Sequence, residues 1–161
     1  METLAAAHVA FIVLPFLMAL VFRRHSEPFA ARLLDSFLFI GVGVQGVLDG
    51  LQQVTGGEEV AEYVGWAYSP FVGELGTMNL AFGILGLLSP WASRGWKLAT
   101  ALGYGLFLAW AAVGHIVDAV GGNTAIGNVG PTLWSDIVIP VALLVLVIAT
   151  RGHNRRGARA H

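Results

Sequence analysis

FVGELGTMNLAFGILGLLSPWASRGWKLATALGYGLFLAWAAVGHIVDAV, residues 71–120, decides how this chain folds. Two apolar runs, roughly 70–88 and 98–119, flank a short loop, WASRGWK, that carries Arg94, Lys97 and two tryptophans. Runs of this length cross a hydrocarbon layer as helices. Tryptophan beside cationic side chains marks the interface where they emerge. Ser89 and Pro90 stop the first helix, because proline cannot continue the hydrogen-bond ladder. The stretch reads as a transmembrane hairpin with a basic turn at one end and acids, Glu74 and Asp118, toward the other.

The same pattern extends outward in both directions. A first span covers roughly 3–22, contains Pro15 as a kink, and ends at Arg23 and Arg24. No basic residue precedes it, so it reads as an uncleaved helix rather than a signal peptide. A second covers roughly 30–53, and its Gly41, Gly43, Gly46 and Gly50 form a small-residue face for close helix packing. That face suits contacts within the bundle or with another chain. EEVAEYVGW, within 55–68, is too polar to cross and reads as a short interfacial helix anchored by Trp66. Ser69 is then an N-cap with Pro70 as the first helical residue. The last span covers roughly 132–150 and follows a loop rich in Gly and Asn.

The expected architecture is all-α: an integral membrane bundle of five transmembrane helices, its main rival being four spans with the first segment peripheral. Residues 1–150 form the transmembrane domain, and 151–161, RGHNRRGARAH, form a basic tail expected to be disordered. With 56% hydrophobic and only 12% charged residues, the chain is far from a soluble domain, where about a quarter are charged. The absence of cysteine excludes disulfides and thiolate chemistry. Basic residues scattered in short loops, with no recognisable module, leave no case for nucleic-acid binding.

Charge fixes the orientation. In a five-span arrangement all nine Lys and Arg fall on one side, and all ten acids except Glu27 and Asp35 fall on the other. The basic side is cytoplasmic by the positive-inside rule. The N-terminus is therefore expected outside and the C-terminus in the cytoplasm, in a multi-pass protein of the cell's inner (plasma) membrane.

Several of the outer acids lie inside apolar runs, where a carboxylate is costly unless paired, protonated, metal-bound or hydrated. From the helical rise, Glu74 and His115 lie ~6 Å below the outer ends of their spans, and His8 and Asp49 ~6–8 Å. Asp136 lies about one turn into the last span. His115 and Asp118, three apart, share a helix face, as do Gln45 and Asp49, four apart. Glu74 sits above Met78. Pro140 frees the carbonyl of Asp136 from its helical partner.

Three kinds of chemistry fit this layer. Glu74, His115, Asp118, Asp49, Asp136 and His8 could ligate a divalent metal ion, since imidazoles and carboxylates suit such metals without thiolate. Glu74, His115 and Asp118 could instead serve as catalytic acid–base groups on a lipophilic substrate, as in an isomerase or cyclase. Gln45, Tyr104 and Asn128 would line a cofactor or ligand site in either case. Proton or cation transport has weaker support, because the inner half offers few polar stations. Against all three stands a polar plug whose side chains only fix helix packing. Beyond the lipid bilayer, the candidate partners are a second copy of the chain or a larger membrane complex with this chain as accessory subunit. The expected function is binding of a metal ion or small polar ligand in an outward-facing pocket.

SPFVGELG at 69–76, GHIVD at 114–118 and GNVGPTLWSD at 127–136 resemble a domain-of-unknown-function family of small bacterial polytopic membrane proteins. The likeness runs from the second span to the fifth and leaves His8 outside. The resemblance implies a helical membrane fold and no activity. Glu74, His115, Asp118, Asn128 and Asp136 lie in the part that looks like the family.

Overall fold

Apolar runs punctuated by Gly, Pro and Asn produce seven helices and one short 3-10 turn, Ser89–Trp91, among the described residues, and no strand. The computed structural model describes the backbone of residues 2–21 and 27–157 and the side chains of 6–21 and 27–150. The helices are α1 (Glu2–Val21), α2 (Phe29–Thr55), α3 (Gly57–Val64), α4 (Phe71–Leu88), α5 (Arg94–Val120), α6 (Ile126–Val129) and α7 (Pro131–Gly157). Among the described residues, four stretches are long and apolar enough to cross a membrane: Phe29–Thr55, Phe71–Trp91, Arg94–Val120 and Ile126–Thr150. The described apolar stretch of α1, Ala6–Val21, is shorter. Arg23 and Arg24 lie outside the described residues.

The boundaries depart from expectation at informative places. α5 begins at Arg94, inside the expected loop, because Ser93 caps it by accepting from the Trp96 amide at 3.3 Å. α4 begins at Phe71 behind Pro70 and has no side-chain cap, so the N-cap role expected of Ser69 is not seen. α7 runs on to Gly157, so residues 151–157 of the expected disordered tail are helical, and the last four lie outside the described residues. The middle of α2, Phe37–Val44, is a π-helix, which no sequence signal announced.

The core is built from the inward faces of α1, α2, α5 and α7, around Phe11, Phe37, Leu38, Val42, Tyr104, Leu108, Ile139 and Leu143. Large apolar side chains also cover the outside: Leu106, Trp110, Ile84 and Val141 are all more than half exposed. An exterior this apolar suits hydrocarbon, not water.

α2 and α4 approach backbone to backbone. A Cβ on Gly46 would lie 2.8 Å from the Asn79 carbonyl oxygen and 2.9 Å from the Gly83 Cα. One on Gly50 would lie 2.7 Å from the Gly76 oxygen, and one on Gly86 2.5 Å from the Gly43 nitrogen. The expected small-residue face is thus real and is matched by glycines of α4. It is covered within the chain and offers no surface to another. Gly41 differs, meeting the Ile139 and Phe37 side chains at ordinary contact distance.

At the end of the bundle that carries most of the acids, α3 and α6 lie across the helix ends. Gly65 ends α3 in the left-handed conformation, φ +80°, which glycine adopts without strain. The Asn123 amide donates to the Val64 carbonyl at 3.0 Å, and Gly127 of α6 packs on Tyr63 of α3 so closely that no Cβ would fit. These contacts make a roof. At the opposite, basic end, Lys97 pairs with Asp35 at 2.7 Å, Arg32 donates to the Ala19 carbonyl, and Arg94 to that of Thr150.

Candidate functional site

Under the roof lies a cavity of about 370 Å³. It is reached by His8 of α1, Asp49, Gln52 and Gln53 of α2, and Val60, Tyr63 and Val64 of α3. Trp66, Asn79 of α4, Gly114 and His115 of α5, and Thr132 and Asp136 of α7 complete the polar part. Phe71, Leu75, Phe107 and Trp110 supply apolar wall. Its size is in the range of small-ligand pockets.

Two histidine–carboxylate pairs face this space. His8 Nε2 lies 3.7 Å from Asp49 Oδ2, and His115 Nε2 lies 3.6 Å from Asp136 Oδ2. The second pair is the more buried, with both side chains under a tenth exposed. Both pairs line the same cavity.

The hydrogen bonds around His115 fix its chemistry. Asn128 Nδ2 donates to two backbone carbonyls, His115 at 3.2 Å and Asn123 at 2.9 Å. Carbonyls only accept, so that atom is the nitrogen and Asn128 Oδ1 is the atom facing His115 Nδ1, at 2.7 Å. His115 Nδ1 must then carry a hydrogen. Nε2 is left as the basic nitrogen, turned toward a carboxylate. At 3.6 Å the two groups form an ion pair only when His115 is protonated.

Trp66 holds the other face of His115. Their rings stack at 5.7 Å with an 11° interplanar angle, and Trp66 Nε1 donates to Asp118 Oδ2 at 2.7 Å. Deeper in, Tyr104 donates to Asn79 Oδ1 at 3.1 Å and Asn79 donates to Gln53 Oε1 at 2.8 Å, forming a floor. Two polar atoms beside the cavity have no hydrogen-bond partner among the described residues: the hydroxyls of Tyr63 and Thr132. Such groups are costly when left unmatched.

The residues singled out from sequence separate clearly. His8, Asp49, His115 and Asp136 converge on the cavity. Asp118 is drawn to Trp66, off the cavity lining. Asn128 and Tyr104 act behind the lining, on His115 and Asn79. Gln45 is buried one turn below Asp49 with its side-chain oxygen unpartnered. Glu74 does not join the layer: it is exposed on the outer face of α4 with Met78, while Leu75 and Asn79 turn inward. Matched depth placed it correctly along the helix axis and said nothing of its azimuth. Among the described residues no three His, Asp or Glu side chains gather as a metal-binding group. The six expected ligands form two separate pairs and two outliers instead.

Trp66, Tyr63, Asn79 and Thr132 were missed as site residues. Trp66 carried an interfacial signal that concealed its second role. Asn79 had a usable signal, a lone amide in the middle of an apolar span. Two other hollows exist. One of about 480 Å³ at the basic end is bordered by Glu27, Asp35, Arg94 and Lys97, and the Asp35–Lys97 pair already closes charge across it. The other, about 410 Å³, is an apolar groove between α5 and α7 with Asp136 as its only ionisable group.

An all-α bundle with membrane-length helices and a polar cavity near one end defines a class, the small polytopic helical proteins. Within that class the chain matches the family of unknown function DUF6790 over residues 3–156 and belongs to it. The match begins ahead of His8, so the likeness is broader than the motifs implied and takes in α1. No curated protein and no solved structure matches the chain.

Proposed function

We propose that this chain is a multi-pass protein of the cell's inner membrane whose roofed cavity binds a small organic cation, such as a protonated amine. The orientation follows the charge asymmetry, with α3 and the cavity outside and the Lys97 end in the cytoplasm. The observation that carries the reading is the lining itself. Two carboxylates, Asp49 and Asp136, face the space together with Tyr63, Trp66, Phe107 and Trp110, and among the described residues no Lys or Arg does. Carboxylates and aromatic faces both attract cations. An anion would meet two acids with only histidine to offset them.

The test is thermal unfolding of the protein in lipid nanodiscs with ethylamine, tetramethylammonium or acetate. Stabilisation by the cations, abolished in Asp136→Asn and retained in Glu74→Gln, supports the reading. Stabilisation by a divalent metal, reversed by chelator, would replace it with the metal reading.

A second reading rests on His115 alone. A basic Nε2 of fixed tautomer, backed by Asn128 and poised on Asp136, is the arrangement a proton-transfer enzyme uses. Turnover of an unsaturated or enolisable lipophile, lost in His115→Gln, would establish it.

A further inference from the structure

The cavity is closed at the end and open at the side. α3 and α6 cover it, with Tyr63 and Val64 buried beneath. α4 and α5 do not seal it. They leave their short connection in contact: a Cβ on Gly103 would meet Phe82 at 2.8 Å. Farther along they diverge, and a Cβ on Gly114, which lines the cavity, would have nothing within 4 Å. The rim shows where the gap leads. Trp110 lines the cavity and is 75% exposed, and Phe71 lines it and is 60% exposed. Trp110 lies ten residues before the end of α5 at Val120, so ~15 Å along the helix from that end. The gap therefore runs from Phe71, in the first turn of α4, down to Trp110 at the depth of the acyl chains.

We propose that the cavity takes a single-tailed amphiphile with an ammonium head, admitted from the outer leaflet through the gap between α4 and α5. This rests on the cation-binding reading above and adds the route and the tail. The head would lie between Asp49 and Asp136, next to the Tyr63 and Thr132 hydroxyls, buried atoms left without a partner among the described residues. The tail would leave along Phe107 and Trp110 into lipid. The groove between α5 and α7 is the weaker route, because it offers Asp136 alone and neither hydroxyl.

The experiment uses the full chain in nanodiscs, with binding read as thermal stabilisation and by native mass spectrometry. The probes are dodecylamine, dodecanol, dodecanoate and ethylamine. Dodecylamine is expected to bind at least tenfold tighter than ethylamine, and dodecanol and dodecanoate are expected not to bind. Gly114→Leu fills open space in the gap, so it should fold as the parent does. It is expected to weaken dodecylamine at least tenfold more than it weakens ethylamine. Equal binding of both amines, untouched by Gly114→Leu, would overturn the side entrance while the cation pocket stands. Binding of neither amine overturns both. Preference for dodecanoate or dodecanol overturns the ammonium head.

Discussion

The side-chain oxygen of Asn128 lies 2.7 Å from His115 Nδ1 and decides which nitrogen of that histidine carries hydrogen. The restraint is strong because Asn128 is itself held by two carbonyls and is fully buried. Asn128→Ala is expected to take a donor from both carbonyls and cost about 1–3 kcal/mol of stability. Nitrogen-15 NMR of labelled histidine should report hydrogen on Nδ1 of His115 in the parent and a mixture of tautomers in the variant.

Trp66 serves His115 by stacking and Asp118 by donating, and the two roles separate by substitution. Trp66→Phe keeps a ring against His115 and loses the hydrogen bond, with an expected loss of about 1 kcal/mol. Asp118→Asn can still accept. Asp118→Ala cannot, and combined with Trp66→Phe it should cost less than the two single changes added together. Thermal melts of the four proteins in one detergent give the coupling directly.

The paired glycines of α2 and α4 predict a sharp contrast. Alanine at Gly46 or Gly83 would collide with backbone, which cannot yield as a flexible side chain does. Overpacking of this kind costs about 1–3 kcal/mol. Alanine at Gly73, where nothing lies within 4 Å, should be tolerated or slightly stabilising. Expression yield and melting temperature check the order.

Glu74→Gln is expected to change stability by less than about 0.5 kcal/mol, as for other exposed positions, and to leave cation binding unaltered. Asp136→Asn is expected to abolish that binding. The comparison separates an acid that only shares the depth of the site from one that belongs to it.

How these two acids were told apart shows what the sequence can carry. Helix existence was legible, because apolar length and the Ser–Pro and Gly–Asn breaks are local signals. The membrane-length character of α2, α4 and α5 needed nothing more. Depth was legible too, since it is counted along the chain. Azimuth was not. α4 is apolar all round, with lipid on one side and protein on the other, so no polar stripe says which face turns inward. Glu74 and Asn79 sit on different faces, and only the fit of Gly76 and Gly83 against α2 decides which one enters the bundle. The role of Asn128 was equally hidden, because it depends on a loop folding back thirteen residues to meet His115.

The π-helical stretch Phe37–Val44 acts as a phase shift in α2. Hydrogen bonding to the fifth residue takes more residues into each turn, so side chains beyond Val44 emerge rotated from where an unbroken α-helix would put them. Before the shift, Leu33, Leu34, Phe37 and Leu38 are buried in the core; after it, Gly46 and Gly50 meet α4 and Asp49 faces the cavity. The polar centre therefore depends on a count of residues as much as on their identity. Deleting one residue between Phe37 and Val44 would leave every named side chain of the site in place along the sequence and turn Asp49 away from it.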